Sequence, residues 1–316
     1  MRKAALLYNP DSGGSQQRLS ELQSALGVIR AGGVDAELIP TESRDHGGEE
    51  TRRAIDSGCD TIFACGGDGT IHNIAQVVAH SPAALAILPL GTANALAHDL
   101  KLPLKVVAAA KASLHAVPRR IALGRVAYAD LSGNPGACYF LVTAGVGVDA
   151  HLFYKLHSGT KQRMGMAAYY AKAWNLWFTY PMPRFAVDYI EAGAEIPRHA
   201  EVTELLAVRI RNFGGVVQEL APGASLDRDD MRLVLSRTAS RLAYLAYVTR
   251  GLLRLRWAIP GVDLAHSTRV SCSYRQPSGP SPERKIYVEA DGELLGTLPA
   301  EITVVPNALT LLAPPR

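Results

Sequence analysis

The sequence predicts an N-terminal α/β domain built on a parallel sheet, followed by a second, mainly antiparallel β-rich domain. Short apolar runs and longer amphipathic runs alternate through the first third of the chain, a pattern that is typical of βαβ units. After Pro118, short runs with two-residue alternation follow one another between Gly, Pro and Asn turns, which is typical of antiparallel strands. The length of 316 residues is also enough for two domains of roughly 150 residues each.

The first domain is predicted to consist of strand–helix pairs. Leucine and isoleucine recur at helical spacing after the first strand, and Gly32 and Gly33 end that helix. The predicted strands span 4–8, 36–39, 61–65 and 85–88, and the predicted helices span 19–29, 49–56, 71–79 and 93–100. In parallel sheets of this kind, ligands bind at the carboxyl ends of the strands.

The second domain is predicted to consist of short strands with two helical interruptions. The strands span 120–126, 139–144, 185–190, 204–211, 231–235 and 269–273, and the helices span 164–178 and 240–257. A segment rich in Pro and Ser at 276–283 is expected to be a solvated loop.

Composition and charge exclude several classes of protein. With 48% hydrophobic and 20% charged residues, the chain is globular rather than disordered or coiled-coil. The net charge of +4 suits anionic phosphates or a membrane surface, and we predict no nucleic-acid partner. The four cysteines lack metal-site spacing, and no apolar run reaches the ~20 residues of a membrane-spanning helix. We therefore expect a cytoplasmic protein, and the sequence is compatible with a homodimer.

The segment 145–150 imitates a dinucleotide-binding fingerprint. That motif needs an acidic residue about 20 positions later, but no Asp or Glu occurs between Asp149 and Asp188. The nine histidines also lack metal-ligand spacing, and no Gly-x-Ser-x-Gly motif occurs. The sequence therefore argues against a dehydrogenase, a zinc hydrolase and a serine hydrolase.

Three turns rich in small residues follow strands of the first domain. They lie at 9–14, 66–70 and 89–94, each between a predicted strand and a predicted helix. Glycine lets the backbone approach a ligand closely, and the N–H groups at a helix N-terminus favour phosphate. Asp68 lies in the second turn, and a carboxylate beside bound phosphates is repulsive unless a metal or a proton intervenes. The turns together therefore indicate a phosphate-bearing ligand with Mg²⁺.

Four motifs occur in an order that spans nearly the whole chain. They are Asn9-Pro10 with Ser12-Gly13, Gly66-Gly67-Asp68-Gly69-Thr70, Pro89-Leu90-Gly91-Thr92 with Asn94, and Asp291-Gly292-Glu293. This set resembles the signature of the diacylglycerol kinase catalytic-domain family, which includes bacterial lipid kinases, sphingosine kinases and ceramide kinases. The resemblance implies an ATP- and Mg²⁺-dependent lipid kinase that works at a membrane surface, most directly on diacylglycerol to give phosphatidic acid. A kinase of sphingoid or other long-chain alcohols, and a nucleotide-binding regulatory protein without turnover, are the alternatives.

The resemblance assigns roles to individual residues. ATP is expected at Asn9, Pro10, Asp11, Ser12, Gly13, Thr41, Gly66, Gly67, Asp68, Gly69, Thr70, Ile71, His72 and Thr92. Either Glu293 or Asp68 would accept the proton of the lipid hydroxyl. Thr41 also has the character of a helix cap, and Asn94 lacks the aspartate that follows it in many members of the family.

The resemblance also bears on a metal site and on the domain limits. Asp227 and Asp229 occupy the place of a structural Mg²⁺ site, although Arg228 intrudes between them and a solvated turn is the alternative. The last strand, 309–312, is expected to return to the first domain. The expected domains are therefore 1–120 with about 305–316 for ATP, and 121–304 for the lipid.

A stretch without acidic residues runs from 150 to 187. It holds 9 of the chain's 21 aromatic residues, with lysines and arginines between them. Aromatic rings and cations favour a membrane interface, so we expect peripheral membrane association through this stretch, or else a core helix. A weaker candidate of the same kind comprises Arg250, Arg254, Arg256 and Trp257.

Overall fold

The computed structural model describes residues 1–10, 16–41, 47–151, 179–214, 219–253, 255, 257–275 and 285–315. The chain divides into two compact units. Unit 1 comprises Met1–Leu123, Asn212–Gly215 and Val305–Arg316, and unit 2 comprises Gly124–Arg211 and Val216–Val304.

Strands and helices alternate in the N-terminal part of the chain. The elements are β1 (Lys3–Tyr8), α1 (Gln16–Ala31), β2 (Asp35–Pro40), α2 (Gly48–Asp56), β3 (Thr61–Gly66), α3 (Asp68–Val78), β4 (Ala84–Pro89), α4 (Ala95–Asp99) and α5 (Val106–Ser113). The predicted strands and helices of this part are confirmed to within a few residues. The short helix α5 was not predicted.

The remaining described elements are mostly strands. They are β5 (Val117–Ala129), β6 (Pro135–Phe140), β7 (Thr143–Gly147), β8 (Phe185–Glu191), β9 (Arg198–Val202), β10 (Glu204–Val208), β11 (Met231–Ser236), α6 (Arg241–Leu253), β12 (Val262–Tyr274), β13 (Tyr287–Ala290) and β14 (Glu293–Ala313). The long strands β5 and β14 contribute residues to both units.

The sheet of unit 1 is parallel. Its order is β2-β1-β3-β4, and the C-terminal end of β14 adds to β4 through Thr310 and Leu311. Both faces of β3 and β4 are buried, which explains why their sequences are continuous apolar runs rather than alternating ones. Because parallel strands end at the same edge, the turns after β1, β3 and β4 lie on one side of the sheet.

The sheet of unit 2 is antiparallel. Its order is β13-β7-β10-β11-β12-β8-β9, and β14 pairs with β13 and with β12. Inward-facing side chains from alternate strand positions build its core, including Phe140, Phe185, Leu233 and Val270. The fold class expected from the sequence, a parallel α/β part with an antiparallel β-rich part, is therefore confirmed.

In unit 2, one predicted strand is wrong and one described strand was not predicted. The single strand predicted at 139–144 is wrong, because the chain turns at Leu141 and Val142 between β6 and β7; both residues are buried and apolar, so hydrophobicity hides the turn. Strand β9 was not predicted. The helix predicted at 164–178 and the loop predicted at 276–283 lie outside the described residues. Within the described ranges, no helix combines the length and hydropathy needed to cross a membrane.

Candidate active site

A cavity of about 580 Å³ opens in unit 1 where β1, β3 and β4 end. Seven of the residues predicted to bind ATP line it. They are Asn9, Pro10, Gly66, Gly67, Gly69, Thr70 and Thr92. The parallel sheet therefore brings parts of all three predicted turns to one cavity.

Two of these turns touch each other through glycine backbone. A Cβ atom added to Gly91 would stand 2.5 Å from the Cα of Gly67, a distance that no side chain can occupy. Leu90 also donates its N–H to the carbonyl of Gly66 at 2.9 Å. The glycines therefore let the β3 and β4 turns pack directly together, and this contact shapes the floor of the cavity.

Asp68 is the first residue of α3 and joins the second turn to the helix that follows the third. Its Oδ1 accepts the N–H of Ala95 at 2.9 Å. Asn94 has a left-handed backbone, with φ of 48°, and its side chain bonds both the N–H and the carbonyl of Gly91. Asp68 and Asn94 therefore fix the third turn.

The other residues predicted to bind ATP have different positions. Thr41 is buried and donates its N–H to the carbonyl of Tyr8 at 2.8 Å, so it holds the end of β2 against β1. Ile71 and His72 are buried in α3. Neither these three residues nor Asp68 belongs to the lining of the cavity. Asp11, Ser12 and Gly13 lie outside the described residues, and their role stays a prediction.

Arg18 contributes a cation to this region, and sequence reasoning missed it. It lines the 580 Å³ cavity and also a neighbouring one of about 750 Å³ that includes Lys105. Arg18 lies in the first turn of α1, where a cation is unfavourable for the helix dipole. That unfavourable placement, directly after a glycine turn, is the signal that could have identified it.

In unit 2, the Asp291-Gly292 pair forms the hairpin turn between β13 and β14. Both residues have positive φ, 49° and 85°, as a type I′ turn requires. The carboxylate of Asp291 accepts three backbone N–H groups, from Leu141, Val142 and Thr143, at 2.8 to 3.1 Å. Asp291 therefore ties the hairpin to the β6–β7 turn.

Glu293 is the residue directly after this hairpin turn. It starts β14, is paired in register with Ala290, and is partly exposed. The hydrogen bonds of Asp291 hold the turn, so they also hold Glu293 in place. Its role as a base stays a prediction.

Three carboxyl groups meet beside β7, the buried Glu204 and Glu289 and the half-buried Asp149. Sequence reasoning missed this cluster. Side-chain oxygens of Glu289 and Asp149 stand 2.7 and 2.9 Å from the point where a Cβ on Gly145 would lie. Glu204 accepts the N–H of Asp149 through Oε2 at 3.1 Å. Gly145 therefore makes room for the carboxyl groups of Glu289 and Asp149.

Burial dominates the electrostatics of this cluster. It raises the pKa of Asp149 to about 6, although a hydrogen bond with Glu289 partly opposes the rise. Burial, and next the charge of Asp149, raise the pKa of both Glu204 and Glu289. Like charges that share a buried site favour protonation of some members, so the cluster holds protons at pH values where ordinary carboxyl groups are ionised.

A second cavity, of about 260 Å³, lies within unit 2 against this cluster. Its lining is mostly apolar, with the carboxyl-bearing Asp149 and Glu204 on one side and Tyr244 and Tyr247 of α6 on another. The Tyr244 hydroxyl shares a 2.8 Å hydrogen bond with Thr203 Oγ1. An apolar wall with a few polar groups suits a ligand with an apolar chain and a small hydrogen-bonding head.

One member of the acidic cluster before β11, Asp230, is paired with cationic side chains. Asp227 and Asp229 are exposed, whereas Asp230 is buried and paired with both Arg228 and His266. Burial acts to raise the pKa of Asp230, but the hydrogen bonds and charges of Arg228 and His266 outweigh it and lower the pKa below its usual value. Over the described residues, no group of three or more His, Cys, Asp and Glu is arranged to hold a metal. The arrangement around Asp230 does not fit a metal site, and metal binding by Asp227 and Asp229 stays a prediction.

Two family models match the chain. The model of the diacylglycerol kinase catalytic domain matches residues 3–126. The model of the YegS C-terminal NAD kinase beta sandwich-like domain matches residues 142–313.

Individual proteins are similar over almost the whole chain. The diacylglycerol kinase of Bacillus subtilis (strain 168) is 25% identical over 304 residues, which cover 95% of this chain and 93% of that protein. The diacylglycerol kinase of Staphylococcus aureus (strain bovine RF122 / ET3-1) is 25% identical over 317 residues, with coverages of 99% and 93%. A crystal structure of a diacylglycerol kinase from Bacillus anthracis str. Sterne has a TM-score of 0.70 at 18% identity, with coverages of 99% and 97%. That last likeness shows a shared fold.

Proposed function

Because the chain belongs to the family that joins a diacylglycerol kinase catalytic domain to a YegS C-terminal domain, and is accordingly an ATP-dependent kinase, we propose that it phosphorylates a lipid hydroxyl. The acceptor we propose is diacylglycerol and the product is phosphatidic acid, which the names of the bacterial relatives support. We also propose that Mg²⁺ accompanies ATP and that the protein works peripherally at a membrane surface. A homodimer is compatible with this proposal.

The cavity of unit 1 is the observation that carries the proposal. Backbone of Gly66, Gly67 and Gly91 lines it, so a ligand can approach main-chain atoms without meeting side chains. Thr70 and Thr92 add hydroxyl groups, and Arg18 adds a positive charge. Hydrogen-bond donors and a cation around open backbone suit the phosphates of a nucleotide. We propose that ATP binds here, with Asn9 and Pro10 beside its phosphates.

Mg²⁺ is proposed from the chemistry of the donors. Asp68 supplies a hard carboxylate oxygen in a turn where phosphate is expected, and Mg²⁺ usually binds through one or two carboxylates together with substrate phosphates. Asp68 Oδ1 holds the N–H of Ala95, which orients the carboxylate. The metal would neutralise phosphate charge. Asp68 would orient the metal, either by direct contact or through a hydrogen-bonded water.

The cavity of unit 2 supports a lipid acceptor. Leu206, Val234 and Val248 supply apolar wall, so an acyl or alkyl chain would be shielded from water there. The carboxyl groups of Asp149 and Glu204 can accept a hydrogen bond from an alcohol. They also favour a second candidate acceptor, a sphingoid base, because its ammonium group would pair with an ionised carboxylate.

In the proposed reaction, the lipid hydroxyl oxygen forms a bond to the γ-phosphorus while the bond to the β–γ bridging oxygen breaks. ADP leaves, and the hydroxyl proton passes to a carboxylate, which is Glu293 or Asp68. Phosphoryl transfer depends on positioning and charge neutralisation more than on covalent help from the protein. Arg18 would stabilise negative charge on the phosphates.

The direct test is incubation with labelled ATP, Mg²⁺ and a panel of lipids in mixed micelles, followed by thin-layer separation. Diacylglycerol, a sphingoid base and a simple long-chain alcohol compete as acceptors in the panel. Labelled phosphatidic acid is the expected main product. A labelled sphingoid phosphate would select the second candidate acceptor. If the protein binds ATP but labels none of the lipids, it is a regulatory protein. Asp68→Asn is the matched control for label that does not come from this site.

A further inference from the structure

The helix α6 carries apolar side chains on a side that nothing in the described structure covers. Leu242, Leu245, Leu252 and Leu253 are exposed, and their spacing places them on one side of a helix. We call these four residues the α6 outer face. The exposed fraction reaches 78% at Leu242 and 62% at Leu253.

The opposite side of α6 is anchored in unit 2. Tyr247 is buried, and its hydroxyl donates a hydrogen bond to the carbonyl of Leu220. Tyr244 bonds Thr203, and both tyrosines line the apolar cavity. A helix that is apolar on both sides needs an apolar environment on each. The inner side of α6 has an apolar environment in unit 2. The α6 outer face has none among the described residues, so it is available to a partner.

Two further exposed apolar residues follow the helix in the chain. They are Leu255 and Trp257, and 52% of Trp257 is accessible. Single exposed apolar residues are common, but several leucines and a tryptophan exposed within one short segment indicate an interaction surface. Tryptophan also prefers the headgroup level of a bilayer.

Charge selects the kind of partner. Between residues 231 and 262 the chain has six arginines and no Asp or Glu. The first acidic residue after them, Asp263, is paired with Arg237 at 2.5 Å. A cationic segment with an apolar face is complementary to an anionic lipid surface, since each basic residue near such a surface adds to the attraction.

We propose that the α6 outer face docks on an anionic bilayer. The inference rests on the proposed function, because a kinase of membrane lipids has to reach its acceptor in the bilayer. It adds the surface that does so: the helix whose inner side lines the lipid cavity is the helix whose outer face enters the membrane. Leucine side chains would enter the acyl region, and the net positive charge of the segment 231–262 would attract the anionic headgroups.

Vesicle sedimentation tests this inference without ATP. The full chain is mixed with sucrose-loaded vesicles of phosphatidylglycerol and phosphatidylcholine, and the partition coefficient is measured for Leu242→Gln/Leu253→Gln. This variant lacks two leucine side chains that the parent would bury in hydrocarbon, so its partition coefficient should fall about tenfold or more. The matched control is Ile196→Gln/Leu131→Gln, since Ile196 is also 78% exposed and also in unit 2. The control should keep the parent coefficient.

A gain-of-binding variant guards against a folding artefact. Leu245→Trp places a second interfacial tryptophan on the α6 outer face and should raise partitioning, which a misfolded chain would not do selectively for anionic vesicles. Equal loss in both glutamine pairs, or no loss in either, would overturn the inference. A change of molecular mass in the Leu242→Gln/Leu253→Gln variant without vesicles would also overturn it, because the outer face would then join two copies of the chain.

Activity separates this inference from the proposed function. A short-chain diacylglycerol, dispersed below its micelle concentration, needs no bilayer. The Leu242→Gln/Leu253→Gln variant should phosphorylate it at the parent rate while losing activity on vesicles. Parent protein that phosphorylates the dispersed acceptor without binding vesicles would overturn the docking surface and leave the function intact. Parent protein that binds vesicles through α6 but phosphorylates no lipid would support the surface and overturn the function.

Discussion

The carboxylate of Asp68 accepts the backbone N–H of Ala95 at 2.9 Å. These two residues begin α3 and α4, the helices that follow the second and third turns of unit 1. The motif aspartate therefore has a structural task that can be measured separately from any task in catalysis. Substitution of Asp68 by asparagine and by alanine distinguishes the structural task from the catalytic one, because only asparagine can keep the hydrogen bond with the N–H of Ala95.

We expect Asp68→Asn to lower turnover by at least about 10²-fold, as loss of a group that organises transition-state charge does, while stability hardly changes. Asp68→Ala should lose the same activity and also about 1 kcal/mol of unfolding free energy, the usual value of a lost helix cap. Urea denaturation and turnover of both variants check this. Full turnover in Asp68→Asn would show that the carboxylate has only the structural task.

Gly91→Ala should damage the proposed nucleotide site. The new Cβ would stand 2.5 Å from the Cα of Gly67, so the two turns have to separate, at a cost of about 1–3 kcal/mol. The rise in melting temperature on addition of Mg·ATP, which reports ligand binding, should fall sharply. The matched control is Gly27→Ala in α1, where nothing lies within 4 Å and alanine should stabilise the helix by about 0.5–1 kcal/mol. An unchanged Mg·ATP response in Gly91→Ala would contradict the placement of ATP.

Local patterns predicted unit 1 well because each of its elements has its own signal. Continuous apolar runs predict strands such as β3 that are buried on both faces, and glycine pairs mark the ends of helices. Unit 2 was predicted less completely. The turn at Leu141 and Val142 is held by Asp291, which lies about 150 residues away in the sequence, and no local pattern reports such a contact.

The carboxyl cluster predicts how stability depends on pH. Because the folded state raises the pKa of Asp149, Glu204 and Glu289, it binds protons more tightly than the unfolded chain does. Stability should therefore fall as pH rises from about 4 through the folded pKa of Asp149, about 6, and the fall should end only when the raised folded pKa values of Glu204 and Glu289 are also passed. Unfolding free energies measured by urea denaturation from pH 4 to pH 8 give this profile.

Glu289→Gln should flatten that profile and raise stability above pH 6. Glutamine can still accept the N–H of Gly292, which Glu289 Oε2 holds at 2.8 Å, and its amide can donate to ionised Asp149. Glu195→Gln is the control, because Glu195 is an exposed carboxylate of unit 2 and its loss should leave the profile unchanged. A steeper pH dependence in Glu289→Gln would contradict a proton-sharing cluster.

The sequence predicted the three small-residue turns of unit 1 but not the polar groups that surround the second cavity. The turns have a fixed spacing of small residues next to predicted strands, so they are recognisable one at a time. Glu204 and Glu289 begin or lie within separate strands of unit 2, and each alone resembles a solvated strand residue. Only the pairing of β7 with both β10 and β13 brings them to Asp149.

The last prediction concerns the base. Glutamine keeps the size of Glu293 but cannot accept a proton, so Glu293→Gln should lower the single-turnover rate by at least about 10²-fold. ATP affinity should change little, because Glu293 belongs to unit 2 and lies outside the lining of the nucleotide cavity. Saturating ATP and lipid isolate the chemical step.

Asp291→Asn is the control that separates position from chemistry. The Asp291 carboxylate accepts N–H groups through both oxygens, so an amide would turn a donor toward a donor and cost about 1–3 kcal/mol. We expect this variant to lose stability and part of its rate, with a shift in lipid KM that Glu293→Gln lacks. If Asp68 is the base, Asp68→Asn abolishes turnover while Glu293→Gln stays within about tenfold of the parent. That pattern would end the case for Glu293, whose distinctive feature is a carboxylate held directly after a fixed turn.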